Sequence, residues 1–309
     1  MGEARRHDIP EGLACTVAAQ PSQAEPMGSV PHLAGRVILV VTSPGAEESD
    51  YLEKVAALAQ FSGARLRLVD CSSRVPSFDL PLARLKQRAR HLGRMLDRSV
   101  ETVDAEIRTQ EELRQQVEAC ALVCIARSAR AWRSGPRERD LLRALIALRI
   151  RPVLVMGHGK LRGYGGYASS LVPVSLGPHS PELLSWARAM APLAALDVLH
   201  VTEIREHTRR RSWAALLQRL RQLAEGVDES SRGVTHTLAH GVVPDVIGRR
   251  HVGERHELVV VGIGLRKRWL PWPTLAQYLA RWLNGDVLVI PQSHEKENTP
   301  FKGQWGFWT

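Results

Sequence analysis

A pair of glycines follows an apolar run in the last third of the chain and precedes a stretch with helical spacing. Gly262 and Gly264 are separated by one residue, and Arg266 follows them in a contiguous basic triplet. Glycines let backbone N–H groups approach an anion closely, and the start of the next helix adds a favourable dipole. These residues therefore suggest binding of a phosphate or another anion. A plainer interpretation, which we favour because a lone GxG is a weak signal, is a solvated basic loop before a helix that starts at Pro273 and Thr274.

Signatures of catalysis are absent from the sequence. It contains no GxSxG, no GxxxxGK[ST] and no paired-carboxylate pattern. His251 and His256 are five residues apart, which does not match the three- or four-residue spacing of metal ligands on a helix. The four cysteines form no CxxC pair and are too few for a disulfide framework. We therefore expect no enzyme activity, no metal centre and a reducing, cytoplasmic setting.

The chain is basic. It has 309 residues with 42 Lys and Arg against 32 Asp and Glu, a formal net charge of +10, and a pI near 10.0. The basic residues, 36 Arg and 6 Lys, are spread over helix faces, and the aromatic residues do not interleave with them as stacking platforms. This pattern favours a solvated Arg-rich surface over a nucleic-acid groove, while binding through residues 209–221 stays open as an alternative. The sequence contains no run of 18 apolar residues, so no membrane-spanning helix is predicted.

Short apolar runs alternate with helical patterns along the chain. Strands are predicted at 36–41, 65–69, 103–108, 121–126 and 152–156, and helices at 48–61, 82–96, 110–118 and 137–148. The same order then repeats, with strands at 171–174, 197–201, 235–239, 257–261 and 286–290. A helix opens at 180–182, and further helices are predicted at 209–223, 244–252 and 274–283. The repeat distance is steady, since Thr42 corresponds to Ser175 at an offset of 133 residues. This pattern predicts an α/β fold of two tandem five-stranded parallel sheets with helices on both faces.

The repeat divides the chain into five segments. They are a flexible leader at 1–34, a first domain at 35–157, a linker at 158–169, a second domain at 170–292 and a tail at 293–309. The tail contains Phe301, Trp305, Phe307 and Trp308, and aromatic side chains are costly to leave in water. Two interpretations stay open for it: docking onto a groove of this chain or of a partner, and a disordered end.

From about residue 35 to 292 the sequence resembles the universal stress protein family in its tandem two-domain form. The segments that carry the resemblance are Leu171 to Ser180, Val198 to Val201, His240 to Ile247 and Glu257 to Gly262. They are similar to the family's first strand and turn, its second strand, the approach to its third helix, and its fourth strand. The resemblance implies an adenine-nucleotide alpha-hydrolase-like fold with strand order 3-2-1-4-5 in each domain. It also implies that the two domains pair through strands 152–156 and 286–290 as an internal pseudo-dimer.

Nucleotide-binding members of the family carry an Asp at the end of the first strand and a loop of form G-2x-G-9x-G-[S/T] after the fourth. In the first domain the Asp position is Thr42, and the loop at 126–135 has neither leading glycine. We therefore predict that the first domain is degenerate and binds no nucleotide. In the second domain the Asp position is Ser175, and Pro273, which has no N–H to donate, takes the place of the third glycine.

The resemblance also names the residues that would line a nucleotide pocket if the second domain bound ATP. They are Val174, Ser175, Val201, Gly262, Gly264, Arg266 and Thr274. Our prediction is a non-enzymatic cytoplasmic stress-response protein without a cofactor, which regulates through protein partners or self-association. The alternative is an ATP-binding universal stress protein that uses the second domain only. A further alternative is a regulatory unit similar to the cytoplasmic portion of cation antiporters, which resembles the same family.

Overall fold

The computed structural model describes eleven stretches of the chain. They are residues 33–42, 48–71, 80–103, 107, 109–127, 136–157, 161, 166–202, 213–225, 233–263 and 274–291. Several predicted features lie outside the described residues: nearly all of the leader, the aromatic tail, the basic residues between 205 and 211, Gly264 and Arg266. Leu33, the penultimate residue of the predicted leader, is fully buried.

The first half contains five strands and four helices among its described residues. The strands are β1 (Val37–Thr42), β2 (Arg65–Asp70), β3 (Glu101–Thr102), β4 (Leu122–Ala126) and β5 (Val153–Met156). The helices are α1 (Glu48–Ser62), α2 (Leu80–Leu96), α3 (Gln110–Glu118) and α4 (Pro136–Leu148). The third strand differs from its prediction at 103–108, because its ladder with β2 pairs Arg67 with Glu101 and ends one residue later.

The second half repeats this order. Its strands are β6 (Ser169–Pro173), β7 (Ala195–Thr202), β8 (Val234–His240), β9 (Leu258–Ile263) and β10 (Asp286–Pro291). Its helices are α5 (Ser180–Met190), α6 (Trp213–Glu225), α7 (Val243–Glu254) and α8 (Leu275–Trp282). The predicted start of the sixth helix at residue 209 lies outside the described residues.

All ten strands belong to one mixed sheet with the order β3-β2-β1-β4-β5-β10-β9-β6-β7-β8. Within each half the neighbours run parallel, and counted from its own first strand each half has the order 3-2-1-4-5. The halves meet where β5 pairs antiparallel with β10, with Leu154 opposite Leu288. The two predicted five-stranded sheets therefore join into one, through the strands that the resemblance implied would pair. Joining two edge strands satisfies their backbone hydrogen bonds and removes two exposed edges.

The central strands are buried on both faces, as their continuous apolar runs predicted. All six residues of β1 are buried, and alternate residues enter two different cores. Ile38 and Val40 belong to the core that also contains residues of α1, α2 and α5, whereas Leu39 and Val41 belong to the core that contains residues of α3, α4, α7 and α8. The helices therefore cover both faces and leave the carboxyl ends of the parallel strands as the place for a crevice.

A buried ion pair ties the two halves together next to the β5–β10 boundary. Nζ of Lys54 on α1 lies 2.8 Å from Oδ1 of Asp286 at the start of β10, and the two side chains are 6% and 2% exposed. Asp286 also accepts hydrogen bonds from the Gly157 N–H at 2.7 Å and the Tyr167 hydroxyl at 2.9 Å. With these partners the buried carboxylate is fully engaged, as a buried charge must be to be tolerated.

Candidate functional site

Two positions in the sheet are candidates for ligand binding. In open α/β sheets a crevice forms beyond the carboxyl ends of the strands, where the strand order reverses. The order reverses between β1 and β4 in the first half and between β6 and β9 in the second. We call these positions the first crevice and the second crevice.

A tyrosine from α1 joins the two strands of the first crevice. The Tyr51 hydroxyl lies 2.9 Å from the carbonyl oxygen of Cys124 on β4 and 3.3 Å from that of Val41 on β1, so it links the two strands near their carboxyl ends. The residue is only 5% exposed. Burial raises the pKa of Tyr51 well above its usual value; Cys124 adds to the shift and Arg88 opposes it. Tyr51 therefore stays a neutral donor and holds the strands together where a ligand would enter.

The residues next to Tyr51 are also committed to structure. Thr42, at the position of the family's Asp, is buried, and its hydroxyl donates to the carbonyl of Val69 at 3.1 Å. Arg127 directly follows β4, where the resemblance expects the glycine loop, and its Nη2 donates at 3.0 Å to the carbonyl of Gly285 in the other half. Burial lowers the pKa of Arg127 to about 10, against an opposing effect of Asp286. The start of this loop thus serves to hold the two halves together.

The second crevice is built differently. Val174 follows β6, is buried, and donates its N–H to the carbonyl of Leu199 on β7 at 2.8 Å. Its own carbonyl accepts from Nδ1 of His200 at 2.8 Å, which identifies the tautomer with the proton on Nδ1. Ser175 is exposed, whereas Val201 is half-buried near the end of β7. Both sides of the Val174 peptide are therefore engaged by β7, and Ser175 faces solvent.

Gly262 and Thr274 lie on the other side of the second crevice. β6 pairs with β9 through Leu171 and Val259, so Val174 and Gly262 each lie three residues further along parallel strands. Thr274 is the N-cap of α8: its hydroxyl accepts from the Gln277 N–H at 3.3 Å, and its own N–H donates to the Gln277 side chain at 3.0 Å. This reciprocal capping box satisfies two donors that a phosphate would otherwise use.

Of the seven predicted site residues, the structure brings three to the carboxyl ends of β6 and β9. Val174, Ser175 and Gly262 are placed there by the strand register, with Thr274 at the start of the helix that follows β9 and Val201 one strand further away. Gly264 and Arg266 lie outside the described residues. The sequence did not identify Tyr51, His200 or Arg127 as residues of these crevices. A buried tyrosine early in the first helix was the available signal for Tyr51, whereas nothing in the sequence distinguishes His200 from the other histidines.

The described residues give little support for a metal site or a reactive thiol. The described part holds no group of three or more His, Cys, Asp or Glu side chains arranged to bind a metal. Cys71, Cys120 and Cys124 are free thiols, and burial raises the pKa of Cys71 to about 12 and that of Cys120 to about 11. Such thiols remain protonated and are poor nucleophiles. Across the described ranges, no helix is both long and apolar enough to cross a bilayer.

Comparison with known proteins places the fold. No family model and no curated protein matches the sequence. Among solved structures, a functionally unknown protein from Pseudomonas aeruginosa PAO1 superposes with a TM-score of 0.61 at 21% identity, covering 85% of this chain and 94% of that one. A universal stress protein from Archaeoglobus fulgidus DSM 4304 gives a TM-score of 0.60 at 12% identity and covers 85% of this chain and 98% of its own.

A third structure, from Pseudomonas aeruginosa UCBPP-PA14 and provisionally classed as a universal stress protein, gives a TM-score of 0.59 at 22% identity. It covers 84% of this chain and 94% of its own. All three matches extend over both halves, because coverage near 85% exceeds what either half could supply. The chain therefore has the fold of the universal stress proteins, and the resemblance in its sequence is confirmed at the level of the fold.

Proposed function

We propose that this chain is a non-enzymatic stress-response protein of the universal stress type, a regulatory or protein-binding module with two degenerate nucleotide crevices. One observation carries the proposal. Val41 and Val174, which correspond at the repeat offset, both have their carbonyl groups engaged by side chains of the chain itself, Tyr51 and His200. A base or sugar placed at either strand end would have to displace these internal hydrogen bonds.

The residues around the crevices support the same proposal. The first crevice has Thr42 and Ala126 where nucleotide-binding members have an Asp and a glycine, and the following Arg127 reaches into the other half. A Cβ at a phosphate-binding glycine position crowds the phosphate. These residues do not fit an adenine nucleotide, so we propose that the first half holds no cofactor.

The alternative, an ATP-binding protein that uses the second half only, draws support from two features. Ser175 is exposed, and Gly262 is half-buried beside it at the strand ends. Against it, the N-terminus of α8 is closed by the Thr274–Gln277 capping box. We favour the degenerate site, because a self-capped helix start offers a phosphate fewer free donors.

A role through protein contacts draws support from the surface. Leu193, Val252 and Trp282 are each more than 60% exposed, and Tyr278 lies beside Trp282 on α8 with 6.2 Å between ring centroids. Exposed aromatic residues are enriched at binding surfaces. Free thiols at all three described cysteines agree with a cytoplasmic setting.

The nucleotide content of the natively purified chain tests this proposal. The protein is isolated without added nucleotide and denatured, and the released small molecules are separated by anion-exchange chromatography. We expect far less than one nucleotide per chain. Recovery near one nucleotide per chain would overturn the degenerate-site proposal, and loss of that nucleotide in a Gly262→Val variant, but not in an Ala126→Val variant, would establish the alternative.

A further inference from the structure

Helix α2 is the most one-sidedly charged helix in the described structure. It runs from Leu80 to Leu96 and contains no acidic residue, and its basic residues are Arg84, Lys86, Arg88, Arg90 and Arg94. Asp97, directly after the helix, is the first carboxylate that follows. The helix therefore carries a strong positive charge without internal compensation.

Three basic residues of this helix fall on one line. Lys86, Arg90 and Arg94 follow one another at intervals of four, and all three are exposed. Arg98 is also exposed but lies past the helix end, after Asp97 at a φ of 50°. We call Lys86, Arg90 and Arg94 the basic ridge. The opposite face of α2 is buried, with Leu85, Leu92 and Leu96 in the core. Successive ridge side chains are about 6 Å apart along the helix axis.

The basic ridge differs from other exposed helix surfaces of the molecule. On α3, Arg114 forms an ion pair with Glu118 at 2.8 Å, and on α7 Arg250 pairs with Glu254 at 3.3 Å, both at intervals of four. No ion pair to Arg90, Arg94 or Arg98 is found within the described ranges. Like charges at this interval destabilise an isolated helix. The charges of Arg90 and Arg94 are therefore available to an external anion.

The equivalent helix of the second half provides an internal comparison. α6 occupies the same position in the repeat, but its basic residues are Arg219 and Arg221, and it also carries Glu225. The basic ridge is therefore not a property of the fold. It belongs to the first half, beside the edge of the sheet formed by β3.

We propose that the basic ridge binds the phosphate backbone of a nucleic acid without reading its sequence. Arginine forks match phosphate oxygens in two-point hydrogen bonds, and a line of such groups can follow consecutive phosphates of one strand. A bilayer surface fits less well, because a helix that lies in the interface must insert its apolar face, and that face of α2 is buried in the core. The sequence shows these residues as one part of a scattered basic composition, whereas the fold places them in one line.

Binding at the basic ridge does not depend on whether either crevice holds a nucleotide. The test uses the full chain and a fluorescent random-sequence DNA duplex, with a single-stranded RNA of the same length as a second probe, titrated over a series of salt concentrations. The variant is Arg90→Gln with Arg94→Gln. The matched control is Arg219→Gln with Arg221→Gln on α6, which removes the same charge from the equivalent helix.

We expect the wild type and the α6 control to bind with the same steep salt dependence. The α2 variant should bind more weakly, and the slope of log K against log salt should be smaller by about 2, one per lost phosphate contact. Its melting temperature should be equal to or above that of the wild type, because the change removes repulsion within α2.

Three outcomes would overturn the proposal. Equal weakening by the α2 variant and the α6 control would mean that only net charge matters. Absence of binding by the wild type to both probes at low salt would mean that the basic ridge is a solvated face. Binding to vesicles containing phosphatidylserine, with none to DNA or RNA, would assign the basic ridge to a membrane surface instead.

Discussion

In the first half, a tyrosine from α1 reaches the carbonyl near the end of the central strand; in the second half, a histidine from the neighbouring strand β7 reaches the equivalent carbonyl. The two side chains bridge different strands. Tyr51 links β1 to β4 across the first crevice, whereas His200 links β6 to β7. The halves thus share a fold but differ in which strands these side chains join, so the second crevice is the one to test for ligand binding.

The largest expected effect comes from separating the halves at their shared ion pair. Lys54→Met leaves the buried carboxylate of Asp286 without its cation, and breaking a buried pair by removing one partner costs about 3–5 kcal/mol. The measurement is the free energy of unfolding in urea. Arg114→Ala is the control, since the pair of Arg114 with Glu118 on α3 is exposed and should contribute little to stability. Equal effects of the two changes would mean that the Lys54 pair does not couple the halves.

Tyr51→Phe tests whether the tyrosine hydroxyl holds the two strands of the first crevice together. The change keeps the ring and removes the donor to Cys124 and Val41, so a buried carbonyl loses its partner at a cost of about 1–2 kcal/mol. Tyr278→Phe, at a ring that is 37% exposed, should change stability by less than about 0.5 kcal/mol. If Tyr51→Phe proves as mild as the control, the hydroxyl does not hold the strands.

The second half should lose stability in mild acid because of His251. Burial lowers the pKa of this histidine to about 4 from 6.5, helped by His256 and Arg127. Between pH 6.5 and 4 the unfolded chain therefore binds a proton at this histidine, whereas the folded chain does not. The free energy of unfolding is at its full value above pH 6.5 and falls as the pH drops through this window. We expect His251→Gln to remove about 1 kcal/mol of the loss between pH 7 and pH 5.

Asp197 affects stability at lower pH than His251 does, so the two effects can be measured separately. Burial raises the pKa of Asp197, but hydrogen bonds from His256 and Arg250 outweigh it, and the net pKa lies below 3.8. The stability from Asp197 is complete above its unfolded pKa and is lost as the pH falls through the folded value. Urea unfolding curves at pH 7, 5 and 3 separate the two groups. If the free energy of unfolding of His251→Gln fell between pH 7 and pH 5 as much as that of the wild type, His251 would not be the cause of the loss.

The smallest effect is expected at the helix cap of the second crevice. Thr274→Ala removes the hydroxyl that accepts from the Gln277 N–H and should cost about 0.5–1 kcal/mol. Thr109→Ala, at the equally complete capping box of α3 in the first half, should cost about the same. Thermal unfolding measures both. A Thr274 variant that keeps full stability would show that this residue is not serving the helix and would strengthen the alternative of an ATP site.

Much of the fold could be predicted from the sequence. Continuous apolar runs such as Val37–Val41 and Val287–Ile290 are typical of strands buried on both faces, and their even spacing revealed the repeat. The joining of β5 to β10 was implied by the family resemblance and not by periodicity, because it depends on how two edges meet. For the same reason the Lys54–Asp286 pair, 232 residues apart in the chain, left no local signal.

The site was less accessible to prediction. The absence of the two leading glycines from the first loop is visible in the sequence, but the side chains near each crevice are set by tertiary packing. Tyr51 and His200 look like ordinary core residues until the fold brings them to the carbonyl groups of Val41 and Val174. Residue identity alone gave no sign of these two hydrogen bonds.

Calorimetric titration of the nucleotide-stripped chain with ATP and Mg²⁺ is the most direct measurement of the central claim. We predict no binding tighter than about 1 mM, which corresponds to about −4 kcal/mol, and no change when Tyr51→Phe is titrated in the same way. A saturable isotherm in the micromolar range, abolished by Gly262→Val, would contradict the claim and establish the second crevice as a working nucleotide site.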